Sequence, residues 1–505
     1  MNTALLPLLI AVPLLGAALL IVVDRPRWLG RAVLLGPNIG ALAAGVFLTW
    51  LTRGGRVHAH NLGLWRDGVA IPFVADTFSA LMVTTTALLL LVCSLFAVAT
   101  GETTRRLFPP LVLVLSAGVY GALLTGDLFN LFVFVEVMLL PAYGLLAIAG
   151  TVRGLLGGRV YVTVNLLTST IFLAGVALVY GVAGTVQVGE LAGAARQSPL
   201  VAVGMGVVLL ALSIKTAVVP MHGWLARAYT APSPAVTALL SGLHTKVAIY
   251  AIYRLYAVVF DGDASLLWMG LVAFTVTMLI GVLGAVGEND TRSILVFHMI
   301  SQIGYILLGV ALFTEAGLMA GIFYLVHHMV VKASLFLSTG AVEYTYGTGE
   351  LDRLGGLARR EPLVALAFLV AALSLAGMPP FSGFVAKFTL VAAAFEAGQW
   401  LVAAVAVAVS LITLMSMLKI WGGAFWSRPP EPEPGPVSGT GASTTLTTGS
   451  PVRTRVPTAV LLPAVVLAGV TLCVGLGAEV LLALSAQAAA HLLDTSAYVE
   501  AVTGR

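Results

Sequence analysis

The sequence predicts an all-α polytopic membrane protein of about fourteen transmembrane helices, with two inverted five-helix repeats that contain broken helices. Three observations lead to this class. The 505 residues are 59% hydrophobic and only 10% charged, whereas soluble domains carry about 25% charged residues. Long apolar windows recur from one end of the chain to the other. Two of these windows are interrupted by proline.

The apolar windows are long enough to cross the roughly 30 Å hydrocarbon core of a bilayer. The predicted spans are 3–23, 31–51, 76–98, 107–125, 128–150, 160–183, 199–219, 235–258, 266–286, 292–312, 317–342, 362–390, 399–421 and 458–482. A tight "TGD" turn separates the fourth from the fifth, which predicts antiparallel neighbours. The first window lacks a basic start and a small-residue cleavage site, so we expect a first span rather than a cleaved signal peptide.

Two of the spans carry proline breaks beside a lysine. The seventh reads "LSIKTAVVPMHGWLARAYTAPSPA", in which Pro220 follows Lys215 by five residues. The twelfth reads "LSLAGMPPFSGFVAKFTL", in which Pro379 and Pro380 precede Lys387. A proline removes a backbone donor and frees a carbonyl. Interrupted helices in corresponding positions of two halves mark the ion site of transporters built from inverted repeats.

The breaks also predict the organisation of the chain. They lie five spans apart, and an odd offset inverts one repeat relative to the other. We therefore expect spans 1–3 within 1–100, a first repeat of spans 4–8 in 107–260 and a second repeat of spans 9–13 in 266–421. The Pro-, Gly-, Ser- and Thr-rich stretch 427–457 cannot bury a core and is predicted to be a disordered loop. The last span is expected at 458–482.

Arginine placement predicts the orientation, because cytoplasmic loops are enriched in basic residues. With the N-terminus outside, the inside segments hold fifteen arginines: Arg25, Arg27, Arg31, Arg105, Arg106, Arg153, Arg159, Arg227, Arg292, Arg353, Arg359, Arg360, Arg428, Arg453 and Arg455. The outside segments hold six: Arg53, Arg56, Arg66, Arg196, Arg254 and Arg505. This asymmetry predicts that both termini lie outside.

The other basic residues are lysines, and all five fall inside or at the end of predicted spans: Lys215, Lys246, Lys332, Lys387 and Lys419. Arginine stays protonated under nearly all conditions, whereas a buried lysine can release its proton. The use of lysine inside the membrane and arginine in the loops therefore indicates proton transfer rather than a need for fixed charge.

One carboxylate, Glu136, lies near the middle of the apolar stretch "GDLFNLFVFVEVMLLPAYGLLAIAG". A charge at the centre of an apolar helix costs about 2.5–3.5 kcal/mol. Glu136 is either a structural lock between two helices or part of an ion pathway, and we favour the pathway because intramembrane acids usually mark one. Its natural partner is Lys215, mid-span in the same proposed repeat.

Further path candidates lie on later spans. Lys246, in "LLSGLHTKVAIYAIYR", is predicted to be a relay, whereas His244 faces another direction and is either a relay or a neutral core histidine. On the eleventh span, His328 and Lys332 are four residues apart and share a face, which suits a proton wire. His298 is open between a relay and a structural role.

The last candidates follow the second break. Lys387 is predicted to lie on the same path as Lys215. Lys419, near the end of the thirteenth span, is either a further path residue or a side chain that extends to the membrane interface. His327 lies about 100° round the helix from His328 and is expected to pack.

Several functions are excluded by what the sequence lacks. No Walker motif and no GxGxxG fingerprint occurs, so neither ATP nor a dinucleotide is expected. Cys93 and Cys473 are isolated and cannot hold an iron–sulfur cluster or zinc, and His58 and His60 lack further ligands nearby. The scattered basic residues do not suggest nucleic acid. We expect no cofactor and no metal.

Three motifs carry a family resemblance: "GDLFNLFVFVEVMLLPAYGLL", "LSIKTAVVPMHGWLARAYTAPSPAVTALLSGLHTKVAIYAIYR" and "FSGFVAKF". Over about residues 60–425 the chain resembles the proton-translocating antiporter-like subunits shared by respiratory complex I, membrane-bound hydrogenases and the multisubunit Mrp antiporters. The first motif, the number of spans and the lack of a long lateral C-terminal helix are most similar to the Mrp group. The loop 427–457 has no match in the pattern.

The resemblance implies fourteen helices with two inverted five-helix repeats. It implies that Glu136 and Lys215 form the key pair, that Lys246 links the half-channels, and that Lys387 passes charge to the far side or to a neighbouring subunit. It also implies that the chain works only with other subunits of a larger complex in the lipid bilayer.

The hypothesis is a proton-translocating subunit, not an enzyme, of a Na⁺ or K⁺/H⁺ antiporter in a bacterial plasma membrane. The alternative is a proton-pumping antiporter-like subunit of an NADH–quinone oxidoreductase or a membrane-bound hydrogenase. A quinone-reactive enzyme would need a redox centre that a partner would have to supply, and a scaffold would not need five intramembrane lysines.

Overall fold

The computed structural model describes residues 3–23, 26–65, 70–428 and 455–504. A short antiparallel hairpin of β1 (His58–Asn61) and β2 (Pro72–Ala75) lies between the second and third helices. The helices are α1 (Leu8–Val22), α2 (Arg27–Leu51), α3 (Thr77–Thr100), α4 (Phe108–Leu124), α5 (Leu128–Ala147), α6 (Val152–Ala183), α7 (Ala194–Gln197), α8 (Pro199–Lys215), α9 (Gly223–Ala228), α10 (Pro234–Val259), α11 (Leu267–Gly287), α12 (Thr291–Leu312), α13 (Glu315–Tyr346), α14 (Leu357–Arg360), α15 (Pro362–Ala376), α16 (Ser382–Glu396), α17 (Trp400–Ile420), α18 (Thr458–Leu476), α19 (Ala478–Leu493) and α20 (Ser496–Thr503). Short 3₁₀ turns cover Thr3–Leu5, Leu62–Leu64, Glu102–Thr104, Ala264–Leu266 and Leu351–Arg353, and a π-helix, Trp421–Trp426, continues α17.

The helices confirm the predicted class of fold. Within the described ranges, eleven helices are long and apolar enough to cross a membrane, and α4, α8, α15 and α19 are shorter apolar helices. The most apolar stretches of α10 and α13 are completely buried, whereas only 28% of the residues are buried in the corresponding stretches of α1, α2 and α11. Exposed apolar helices around a buried pair are the arrangement expected when lipid, rather than water, surrounds the protein.

Each of the fourteen predicted spans coincides with helix, but the bounds of three were wrong. The twelfth, 362–390, is the two helices α15 and α16, and α16 continues to Glu396. α6 begins at Val152, eight residues before the predicted start, because Thr151 caps it by accepting from the Gly154 N–H. The predicted span 458–482 is two helices, α18 and α19, which meet at Gly477. The predicted loop 427–457 lies outside the described residues except at its two ends.

Structural features of the first repeat recur in the second at a constant offset in sequence number. α6 and α13 are both 32 residues long. Matched features lie 163 positions apart (290 minus 127, 314 minus 151, 347 minus 184): the N-caps Asp127 and Asp290, the N-caps Thr151 and Thr314, and the left-handed glycines Gly184 and Gly347 that end α6 and α13. This recurrence is what two copies of one five-helix unit produce. The boundaries 107–260 and 266–421 stay a prediction.

The two helix breaks also correspond. α8 and α15 both end before a residue with positive φ, Ala217 at 61° and Gly377 at 89°. Side chains bind backbone carbonyls at both breaks. Trp224 Nε1 donates to Ile214 O at 3.0 Å, and Lys387 Nζ donates to Ala376 O at 3.0 Å. The irregular backbone is thereby held against protein, as membrane depth requires.

Candidate functional site

A hydroxyl joins the two charged groups of the first repeat. Glu136 is partly buried on α5, and Lys215 is the last residue of α8 and 6% exposed. Ser169 on α6 donates a hydrogen bond to Glu136 Oε1. Lys215 Nζ donates to the same Ser169 hydroxyl at 3.3 Å. The hydroxyl is thus polarised between an acceptor and a cationic donor.

Sequence reasoning missed Ser169. Among the described residues, no Lys215 nitrogen comes within 4.0 Å of a Glu136 oxygen, so the two interact through the hydroxyl and not by direct contact. A serine can accept from the lysine while it donates to the carboxylate. A change at one charge can therefore act on the other through the hydroxyl, and the role of Glu136 and Lys215 as the key pair stays a prediction.

His244 belongs to an aromatic cluster beside this group. Its Nδ1 shares a hydrogen bond with the Tyr161 hydroxyl. The Tyr161 ring lies against Tyr143, Trp224 and Tyr229, with ring centroids 5.6 to 6.3 Å away. His244 Nε2 has no hydrogen-bond partner in the described part of the chain.

Lys246 is fully buried at the centre of α10. Its Nζ donates to the Ser241 carbonyl and, at 3.0 Å, to Thr245 Oγ1. On the neighbouring α13, His328 is fully buried and neither ring nitrogen has a partner among the described residues. The charges of Lys246 and Lys332 both act on His328. A buried histidine with both ring nitrogens free can accept a proton at one nitrogen and release one from the other.

Two further predicted residues, Lys332 and His298, lie in the second repeat. Lys332 Nζ donates to Leu295 O at 2.6 Å. His298 on α12 is fully buried, bonds Ser416 Oγ through Nε2 at 2.9 Å, and interacts with the charges of Lys332 and Lys387. The predicted residues on α8, α10, α12, α13 and α16 are therefore all buried, and their connection into one proton path stays a prediction.

Lys387 lies at the second break. Its Nζ contacts Ala376 O and Ser410 Oγ, each at 3.0 Å, and lies 5.3 Å from the centroid of the Tyr305 ring. A hydroxyl, a freed carbonyl and an aromatic face all stabilise an ammonium group. The side chain is held on three sides at a point where the helix is interrupted.

Two other residues lie beside this series. Lys419 Nζ donates to Val286 O at 3.0 Å and Glu288 O at 2.6 Å, at the C-terminal end of α11. A cation at a helix C-terminus is stabilising, which favours a structural role. His327, expected only to pack, bonds Ser382 Oγ at 2.8 Å.

A buried ion pair was also missed. Asp76 and Arg254 are 1% and 5% exposed at their side chains, and Arg254 Nη2 donates to Asp76 Oδ2. The guanidinium lies 4.7 Å from the centroid of the Tyr498 ring of α20. Arg254 was assigned to an outside segment by its sequence position, but it is buried within α10, so the separation of arginine and lysine is not complete.

Burial alone would raise the pKa of Asp76, but the Arg254 guanidinium and the Ser79 N–H hold that pKa below its ordinary value. Asp76→Asn is expected to lower the free energy of unfolding by about 3–5 kcal/mol, because it leaves a buried guanidinium unpaired. The contribution of Asp76 is present at neutral pH and is lost as the pH falls through its lowered pKa. The thermal midpoint of the detergent-solubilised protein measures this.

Asp261→Asn is the matched control, since its pair with Arg196 is about half exposed and such pairs contribute about 0–1 kcal/mol. Equal midpoints for Asp76→Asn and Asp261→Asn would contradict the importance of the buried pair.

Comparison with known proteins identifies the family. The pattern of the NADH:quinone oxidoreductase/Mrp antiporter transmembrane family matches residues 125–413. The chain belongs to this family. It is 37% identical to the D subunit of the Na(+)/H(+) antiporter of Alkalihalophilus pseudofirmus, with 99% of each chain covered. The resemblance inferred from the motifs is therefore confirmed.

Solved structures of family members agree with this assignment. A chain of the Mrp complex from Dietzia sp. DQ12-45-1b is 54% identical and superimposes with a TM-score of 0.95 over 100% of both chains. A chain of respiratory complex I from Thermus thermophilus is 26% identical, with a TM-score of 0.80 over 97% of this chain and 99% of that one. The predicted fold class is confirmed.

Proposed function

We propose that this chain is the proton-translocating, D-type subunit of a multisubunit Na⁺ or K⁺/H⁺ antiporter, and therefore a transporter subunit and not an enzyme. The observation that carries the proposal is the series of buried titratable groups, Glu136 to Lys387, that runs across both broken helices. The similarity over the full chain to the D subunit of a Na(+)/H(+) antiporter and to a chain of an Mrp complex supports it.

In this proposal the charge of Glu136 controls Lys215 through the Ser169 hydroxyl. When that interaction weakens, Lys215 gives up its proton toward His244 and Lys246. A carboxylate in this role stays ionised and acts as an electrostatic trigger, not as a carrier along the path.

From Lys246 the proton moves through His328 and Lys332 to Lys387, with His298 beside the last transfer. Lysines and histidines can each exchange protons, whereas arginines cannot. Lys387 would then pass charge to the far side or to a neighbouring subunit.

The cellular setting is part of the proposal. We place the chain in a bacterial plasma membrane, in line with its similarity to a chain of an Mrp complex. The excess of arginine in the predicted inside segments supports both termini lying outside. The partners are the other subunits of the complex, the lipid bilayer, H⁺, and Na⁺ or K⁺.

The function is tested by expressing the complete set of neighbouring genes in a host that lacks its own antiporters. Everted vesicles should collapse a preformed pH gradient when Na⁺ or K⁺ is added. Co-purification of this chain with subunits that reduce quinone, without cation-dependent pH change, would instead establish the alternative of a proton-pumping respiratory complex, to which the likeness to a complex I chain also points.

Ser169→Ala is expected to lower the antiport rate by about 100-fold, the lower end of what a positioned proton-transfer group contributes. The substitution removes the hydroxyl between Glu136 and Lys215 without removing a charge. The rate of pH-gradient collapse in everted vesicles measures the effect.

Thr168→Ala is the matched control, because the neighbouring Thr168 hydroxyl bonds only the Val164 carbonyl of its own helix, at 2.7 Å. Ser169→Thr keeps a hydroxyl and should retain activity. If Ser169→Ala and Thr168→Ala transport equally well, Ser169 has no relay role.

A further inference from the structure

A basic cavity lies at one end of the α1–α2 hairpin, and none of the buried lysines lines it. It has a volume of about 670 Å³ and opens where the end of α1 and the start of α2 face the Glu102–Thr104 turn. Its polar lining is three arginines and two threonines: Arg27, Arg31, Arg106, Thr103 and Thr104. Guanidinium and hydroxyl groups that converge on one space form a binding site for an oxyanion.

The three arginines approach the cavity from two sides. Arg27 and Arg31 are one helical turn apart and share a face of α2. Arg106 lies opposite, where its Nη2 donates to Ile21 O, near the end of α1, at 3.1 Å. In the described ranges, no carboxylate forms an ion pair with any of these three side chains. The three guanidinium groups can therefore bind a ligand that carries negative charge.

An apolar groove lies along the same two helices. Its volume is about 730 Å³, and its lining is aliphatic and aromatic side chains of α1 and α2 together with Gly36 and Gly40. A Cβ at either glycine would meet no atom within 4 Å, so the groove is open at both positions. From Arg31 to Gly40 the distance along α2 is about 13 Å, at about 1.5 Å per residue. Gly40 also lies about 180° round α2 from Arg31, at about 100° per residue, so an acyl chain of a lipid bound at Arg31 would have to cover this distance and pass to the other side of α2 to enter the groove.

We propose that the arginine cavity binds the phosphate of an anionic phospholipid and that the α1–α2 groove takes one of its acyl chains. Basic pockets between membrane helices recognise anionic headgroups. A free phosphate would satisfy the arginines but leave the groove empty. The bound lipid would fasten the exposed α1–α2 hairpin to the turn before α4, which is the first helix of the first repeat.

The experiment uses the purified complex after removal of lipid. Phosphatidylglycerol, phosphatidylcholine with the same chains, or inorganic phosphate is added, and bound lipid is counted by native mass spectrometry alongside the thermal midpoint. Arg27→Gln with Arg31→Gln should weaken phosphatidylglycerol binding about 30-fold, as two surface basic residues contribute. Arg53→Gln with Arg56→Gln removes two exposed arginines near the other end of α2 and should bind as the parent does.

A second variant tests the groove. Gly40→Phe fills it and should weaken binding of long-chain phosphatidylglycerol while binding of a short-chain analogue is unchanged. The proposal is overturned if phosphate alone stabilises the protein as well as phosphatidylglycerol does, if phosphatidylcholine binds equally, or if the Arg53 and Arg56 control loses lipid to the same extent.

Discussion

Glu136→Gln is expected to abolish cation-dependent pH-gradient collapse in everted vesicles, down to the level of vesicles without the complex, while the subunits still assemble. Glutamine has nearly the same shape and can still accept from Ser169. What it lacks is the negative charge that controls Lys215 through that hydroxyl. Without that charge the protonated form of Lys215 is no longer favoured, so a proton-transfer step that depends on it is lost.

Glu136→Asp tests the charge of this residue separately from the length of its side chain. Aspartate keeps the charge but is one methylene shorter, so its contact with Ser169 weakens. Partial antiport with an altered pH optimum is therefore expected, against none for glutamine. The pH profiles of both variants and of Lys215→Ala, each checked for assembly, are the measurement.

Glu315→Gln is the control, because Glu315 is an exposed acid in the first turn of α13 and not in the site. Full antiport in an assembled Glu136→Gln complex would refute the role of Glu136. If the Asp and Gln variants behave identically, Glu136 does not act as an electrostatic trigger and must have another role.

Positions of helices and breaks could be predicted because each depends on local sequence. Twenty apolar residues form a membrane helix whatever their neighbours, and proline acts at its own position. The lysines could be selected because a cation inside an apolar span is costly anywhere. These features require no knowledge of which helices touch.

Ser169 could not be selected in this way, because it is one of many hydroxyls on apolar helices and a membrane helix tolerates a serine at little cost. A signal was present in the internal repeat. At the 163-residue offset, Ser169 corresponds to Lys332 and Tyr161 corresponds to Tyr324 (332 minus 169, 324 minus 161). An alignment of α6 with α13 would have placed Ser169 at the position of a path lysine.

The location of Arg254 was wrongly predicted for a different reason. Its partner Asp76 is 178 residues away in the chain, and the ring that covers it, Tyr498, is on α20, beyond the last predicted span. Charge counting places an arginine by the nearest predicted loop. Whether an arginine is buried depends on contacts between segments that are distant in the sequence, and hydrophobic periodicity does not reveal such contacts.

The second large effect is expected at Lys387. Lys387→Arg keeps the positive charge but should reduce antiport to near background, because a guanidinium does not release its proton under these conditions. The surroundings of Lys387 do not by themselves require proton release, since Ala376 O, Ser410 Oγ and the Tyr305 ring would also stabilise an arginine. The substitution therefore distinguishes a proton carrier from an anchor.

Lys419→Arg is the matched control for this test. Lys419 binds two carbonyls near the end of α11, a task that needs only donors and positive charge, so arginine should preserve activity there. Assembly and thermal midpoint must match the parent in both variants, because the space beside Gly377 is narrow around the Lys387 side chain. If an assembled Lys387→Arg complex transports as well as Lys419→Arg, the ammonium of Lys387 serves as an anchor for the broken helix, and the proton path must leave the second repeat elsewhere.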